Sequence, residues 1–361
     1  MSGAPAPAHR GLALFGRVWC GSSGSTYDDG VVLVDPGGRV AAVGPAPRIA
    51  VPGAFRRLGG AGHWVGPGIV DAHVHLAFGG PTEALRGGLV GVRDLGAPLE
   101  RALRWRTGPG AGAPYVSVAG PLLTAPGGYP SNGWGADGFA AFIDSPATAA
   151  ATVRQLATAG VDLIKLALEP AGGQPVPPPE VARAVVQAGN DAGLAVVAHA
   201  LTAAMVERAL DAGVDELVHT PTERLPPRLV ERLAAAGVRV ISTLQTLAAS
   251  RGGKGVLVNA KAFVAAGVEL VYGTDLGNAG TAPGVDPREL RRLAEAGLGE
   301  AGALRAATAG SAGAAGMAGP SGRLIVGAPA GVVLLRGDPL ADPEQWRHPV
   351  AVVAGDRLVA A

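Results

Sequence analysis

Cys20 is the only cysteine in 361 residues, so no internal disulfide framework holds this chain together, and the usage fits a reducing compartment. Charge is scarce too. Only 16% of residues are charged and the formal net charge is +1, which leaves no basic field for nucleic acid and no acidic tail. No apolar run is long enough to cross a bilayer, and residues 1–10 lack an apolar stretch of signal-peptide length. Glycine (57) and proline (30) are plentiful but fall between apolar runs without a period, which excludes collagen-like and solenoid architectures. These absences lead us to expect a soluble, cytoplasmic protein with a small-molecule substrate, no nucleic-acid or membrane partner, and homo-oligomerisation left open.

Hydrophobic residues make up 48% of the chain, enough to bury a sizeable core in one large α/β domain with a small appendage. Residues 12–64 read as short strands with turns, among them 12–19, 31–34 and 39–43. The C-terminal part has the same character around 331–335 and 350–353. Neither end has enough strands for a stable sheet alone, so residues 1–65 and 320–361 are expected to pair into one small, β-sandwich-like domain. Between them, over residues 66–319, the pattern becomes strand, loop, helix, repeated. Apolar strand candidates lie at 69–75, 89–94, 115–119, 161–168, 194–199, 214–219, 238–243 and 268–275. Helical stretches separate most of them, and several close with Ala-Gly-Val or Ala-Gly-Leu, where glycine turns the chain into the next strand. Eight such units predict a (β/α)₈ TIM barrel.

Chemistry in such a barrel sits at the C-terminal ends of the strands. The first candidate strand runs Pro67-Gly68-Ile69-Val70-Asp71-Ala72-His73-Val74-His75, and alternation in a strand puts His73 and His75 on one face. Two neutral imidazoles side by side suit a metal ion, although an isolated His-x-His is more often structural. The fourth strand carries Lys165 inside an apolar run, the fifth ends at His199, the sixth at His219 and the eighth at Asp275. Lys165 is one of only three lysines. Burial of an ammonium is costly and favours the neutral amine, so Lys165 is read as an ion-pair member, a Schiff-base nucleophile or a site of carbamate formation.

Taken together, these residues make the chain resemble the metal-dependent amidohydrolase superfamily, nearest its imidazolonepropionase-related and prolidase-like branch. The likeness rests on the first-strand motif and on the order His-x-His, Lys, His, His, Asp. It extends to Val92-Arg93-Asp94-Leu95-Gly96, Gly273-Thr274-Asp275 and Gly337-Asp338-Pro339-Leu340. The resemblance implies a hydrolase with two divalent ions, most readily Zn²⁺. In that arrangement His73, His75 and Asp275 would hold one ion, His199 and His219 the other, and a carboxylated Lys165 would bridge. Amide hydrolysis needs a proton delivered to the leaving nitrogen, so Asp275 is expected to double as general acid/base. One departure is Tyr129, which stands after Gly127-Gly128 where relatives often have histidine.

Substrate contacts are expected in the loops at the same barrel end. Arg93, Tyr129, Asn132, Trp134, Thr220, Gln245 and Asn278 are the candidates. Arg93 reads as a carboxylate anchor or, preferably, as half of a structural pair with Asp94. The loop from Gly120 to Asp144 reads as a lid carrying Tyr129 and Trp134, or as a plain surface loop. His9, His63 and His348 lie outside the barrel pattern, and Cys20 reads as a small core residue. The expected function is hydrolysis of an amide-type C–N bond in an N-acyl amino acid or small peptide. The alternatives are a cyclic amide, lactam or lactone hydrolase, and a non-catalytic scaffold or binding protein.

Overall fold

The computed structural model describes residues 10–21, 25–106, 114–248, 253–317 and 322–360; His9 lies outside them. Four strands open the chain: β1 Leu12–Trp19, β2 Thr26–Val34, β3 Val40–Pro45 and β4 Arg56–Pro67. Ten follow in the middle: β5 Ile69–Val74, β6 Leu89–Asp94, β7 Tyr115–Val118, β8 Leu122–Thr124, β9 Ala140–Phe142, β10 Leu163–Leu168, β11 Ala195–Ala200, β12 Glu216–Leu217, β13 Arg239–Ile241 and β14 Leu270–Val271. The last three are β15 Gly331–Leu335, β16 Ala351–Ala354 and β17 Arg357–Ala360.

The outer strands form one mixed sheet in the order β17-β16-β15-β4-β1-β2-β3. Apolar residues of one face, among them Leu12, Leu14, Val32, Val332 and Val353, pack into a core of their own. Tryptophans of the other face join the main core: Trp64 stacks on Trp19 with ring centroids 6.1 Å apart and meets Trp346 edge-on at 5.8 Å. Burial of these rings, together with Val333, Leu335, Val352 and Ala354, attaches this sheet to the main core. Cys20 sits within the sheet's own core, and burial pushes its thiol up from the ordinary range.

The middle strands make the (β/α)₈ barrel. Strands β5, β6 and β7 run parallel, and β8, β10, β11, β12, β13 and β14 continue in order. The third stave is split into β7 and β8, with the backbone of Asp162 donating to Val118 across the join. The barrel closes where the N–H of Ala72 donates to Tyr272 at 3.2 Å and that of His75 to Leu276 at 2.8 Å. Ala72, Leu95, Leu163, Val197, Val218, Ile241 and Val271 fill its interior. Helices Pro146–Ala159, Ala203–Ala212 and Val256–Ala266 end on left-handed glycines, as the Ala-Gly-Val pattern predicts. Two features lie beyond the sequence reading: helix Leu244–Ala248 directly after the seventh stave, and β9, which adds to β8 outside the barrel. Among the described residues no helix is long and apolar enough to cross a membrane.

Candidate metal centre

The barrel brings the first and eighth staves together through a buried carboxyl. Asp71 accepts the N–H of His73 at 3.0 Å, the N–H of Thr274 at 3.1 Å and the Thr274 hydroxyl at 2.6 Å. Burial pushes this carboxyl up to about 7. The clamp sets the backbone of the His-x-His motif against that of Asp275, whose N–H donates to the His73 carbonyl at 2.9 Å. Space is tight there. A Cβ on Gly96 would lie 2.5 Å from Leu122 Cδ1 and 3.2 Å from the His75 ring, and one on Gly273 would lie 2.4 Å from Ile241 Cγ2 and 3.1 Å from the His73 Cβ, which accounts for two motif glycines.

The hydrogen bonds fix which imidazole nitrogens face inward. His73 Nδ1 lies 3.1 Å from the carbonyl of Val218, and His75 Nδ1 lies 3.4 Å from that of Gly96. A carbonyl only accepts, so Nδ1 carries the proton in each neutral ring, and in that form Nε2 keeps a bare lone pair. Both Nε2 atoms lie 3.3 Å from Oδ1 of Asp275. His73 Nε2 is buried and has no hydrogen-bond partner among the described residues. His219 Nδ1 meets the Thr243 hydroxyl at 3.0 Å, and its ring centroid is 4.7 Å from those of His73 and His199. His199 Nε2 donates to Glu169 at 3.1 Å, which leaves its Nδ1 bare. Asp275 and Thr243 both adopt left-handed backbone, with φ of 57° and 45°. Such strain in a β-branched threonine is uncommon and clusters at functional sites.

Burial drives the pKa values of His73, His199 and His219 below the ordinary imidazole range, and the Lys165 ammonium adds to the effect. Burial lowers Lys165 to about 7, so a large share of its amine is neutral at neutral pH. For Asp275 burial acts upward, but in their protonated forms the imidazoles of His73, His75 and His219 outweigh it and hold the carboxyl well below its usual range, a role that falls to a bound cation when those rings are neutral. One carboxylate facing several imidazole lone pairs is a set that a divalent cation satisfies. One candidate atom from each of His73, His219 and Asp275 falls within 4.8 Å of the others. The residues present fit a metal.

His73, His75, Lys165, His199, His219 and Asp275 line one cavity of about 520 Å³, together with Tyr129, Trp134 and Asn278. Other sequence candidates are placed elsewhere. Arg93 is 1% exposed and does not reach the cavity. Its guanidinium donates to the carbonyls of Ala72 and Ala314 and to Glu216 at 2.6 Å, so it is no substrate anchor; its partner is Glu216, and Asp94 instead accepts the backbone of Leu76 and Gly96. Asn132 is exposed, donates to the Gly127 carbonyl and stays off the cavity wall. Gln245 is likewise no lining residue, since its side chain turns to Arg292 and its backbone to Glu289. Thr220 is fully buried beside the sixth stave. The sequence reading missed Glu169, Phe78 and Leu247 on the wall and Thr243 behind His219. Four residues after Lys165, at the end of its stave, Glu169 carried a positional signal that its neighbour Pro170 disguised as a turn.

A family model described as Amidohydrolase family matches residues 64–359, and the chain belongs to that family. Among solved structures it is similar to a Xaa-Pro dipeptidase with bound methionine in the active site, with 20% identity, coverage of 97% of this chain and 100% of that one, and a TM-score of 0.83. A putative prolidase from Bifidobacterium longum gives 27% identity, coverage of 98% and 95%, and a TM-score of 0.83. A molinate hydrolase gives 20%, coverage of 98% and 96%, and 0.78. A search of curated protein sequences finds no match. The protein is a hydrolase built on the amidohydrolase barrel and its small β domain.

Proposed function

We propose that the protein hydrolyses an amide-type C–N bond with two divalent ions, zinc for preference, held at the barrel rim. In this reading His73, His75 and Asp275 would hold one ion, His199 and His219 the other, and Lys165, as a carbamate, would be a ligand shared between them. The observation that carries it is the mismatch around Asp275. Its Oδ1 stands 3.3 Å from two imidazole nitrogens whose protons are committed on the far side of each ring. The similarity to prolidase structures supports the choice of reaction. Divalent ions would supply Lewis acidity, making water acidic near neutral pH and polarising the scissile carbonyl.

The chain's own residues do the rest. Asp275 is ionised and can take a proton at its carboxylate and pass it to the leaving nitrogen, which an amide requires because its free anion leaves poorly. The carbonyls of Val218 and Gly96 and the carboxylate of Glu169 hold the imidazoles in one tautomer each. Lys165, with its amine lowered to about 7, has the neutral form that adds carbon dioxide. Tyr129 stays a neutral phenol, since burial pushes it up to about 12. An N-acyl amino acid or small peptide is the first substrate class to test, with cyclic amides and lactones beside it.

The test is metal analysis of the purified protein with bicarbonate present, run with an amide screen on wild type and Lys165→Ala. We expect roughly two ions per chain in the wild type, and fewer than one with no turnover in the variant. Undiminished turnover in Lys165→Ala would exclude the bridging role.

A further inference from the structure

The cavity has an aromatic wall beside its polar floor. Tyr129 leans over His199 with ring centroids 5.0 Å apart, and Trp134 meets His75 edge-on at 5.0 Å. One aromatic ring therefore stands over a histidine from each proposed ion site. The two rings are tied together, because Trp134 Nε1 donates to the Tyr129 hydroxyl at 3.2 Å. Phe78 extends the wall outward: it lies 6.2 Å from Trp134 and stacks on Phe139 at 6.1 Å with planes 13° apart. Two segments supply these rings, the turn after the first stave and the 125–139 loop, so their convergence is a property of the fold.

Phe78 is 52% exposed and Trp134 37%, though both border a cavity with ionisable groups at its base. A single exposed ring needs no explanation, but two exposed rings contiguous with the half-buried Tyr129 and Phe139 and leading into a reactive cavity mark a place where apolar surface is covered during binding. Flat rings prefer offset-stacked or edge-on partners, a geometry that a saturated chain meets poorly.

We infer that the substrate presents a neutral aromatic group next to the scissile bond, seated against Trp134, Tyr129 and Phe78. This narrows, and rests on, the amide-hydrolase reading. The pairs that test it differ in one group: N-benzoylglycine against N-acetylglycine for the acyl side, and N-acetylaniline against N-acetylmethylamine for the leaving side. Binding of benzamide against acetamide to the metal-loaded enzyme, by calorimetry, adds a readout independent of turnover. The expected result is an aromatic preference of ~10-fold or more in at least one pair and in binding, as one ring's burial supplies. That ratio collapses towards unity in Trp134→Ala and Phe78→Ala. It survives in Phe142→Ala, which removes a ring 53% exposed away from the cavity wall. Equal rates within both pairs and equal binding would overturn the inference while leaving the hydrolase reading intact. Selective binding of benzamide without hydrolysis of any amide would support the aromatic seat and sink the hydrolase reading.

Discussion

Two buried polar clusters share the interior of this barrel, and they are composed on opposite principles. Around Glu216 the donors and acceptors balance. One of its oxygens takes Arg93 at 2.6 Å, the other takes Arg239 at 2.8 Å, and the remaining Arg93 contacts are to backbone carbonyls. Around Asp275 they do not balance: two imidazole nitrogens, bare in the neutral rings, approach one carboxylate oxygen, and among the described residues His73 Nε2 has no hydrogen-bond partner. Buried polar groups are nearly always satisfied, so the balanced set reads as a brace and the unbalanced one as a receptor for a cation. Burial and charge are common to both; only the accounting of protons tells them apart.

Breaking the unbalanced cluster should cost the most. Asp275→Asn keeps the shape and removes the carboxylate, so kcat should fall by ~10³–10⁴, read by steady-state kinetics at matched metal content. Near-wild-type turnover would remove Asp275 from proton transfer. Breaking the balanced cluster should cost stability instead. Arg93→Ala leaves Glu216 buried beside a half-exposed partner and should lower unfolding free energy by ~3–5 kcal/mol in urea titration. A rise in KM for carboxylate-bearing substrates with stability intact would show that Arg93 reaches substrate after all.

A third buried carboxyl sharpens the contrast through pH. Glu289 accepts the N–H groups of Leu244 and Gln245, and burial pushes it up to about 7. Its folded pKa is raised, so the native state binds the proton more tightly. Its contribution to stability is full below about 4.5 and is lost as pH rises through about 7. Comparing urea midpoints at the two ends of that window, Glu289→Gln should flatten a decline on the order of 1–3 kcal/mol. An unchanged decline would place the titration elsewhere. The smallest effect belongs to Glu169→Gln, which retains an acceptor for His199 but drops the charge. Metal affinity should weaken by ~10-fold, measured by competition with a chelator.

Much of the barrel was legible because its period is local. Each stave is an apolar run followed by a helix with a glycine stop, and Gly160, Gly213 and Gly267 end their helices as that pattern predicts. The order of histidines, lysine and aspartate pointed to the rim residues, since strand ends converge in this fold. What escaped was non-local or concealed by glycine. Strand β4 passes through Gly59-Gly60-Ala61-Gly62, a glycine-rich run with no strand signal, yet it pairs with both β1 and β15. The third stave is two fragments, and β9 returns to it only after a long loop. Arg93 was assigned its chain neighbour Asp94, whereas its partner lies 123 residues away, a distance over which sequence spacing carries no information.

Strand β4 also leads directly into the His-x-His strand, and its free flank is claimed by β15: Gly68 donates to Gly331 at 3.0 Å and Pro67 pairs with Val332. The two proposed ligands on the first stave are thus braced by a segment remote in sequence, and a chain without residues 331–335 would keep every proposed ligand yet lose the strand beside the approach to the first two.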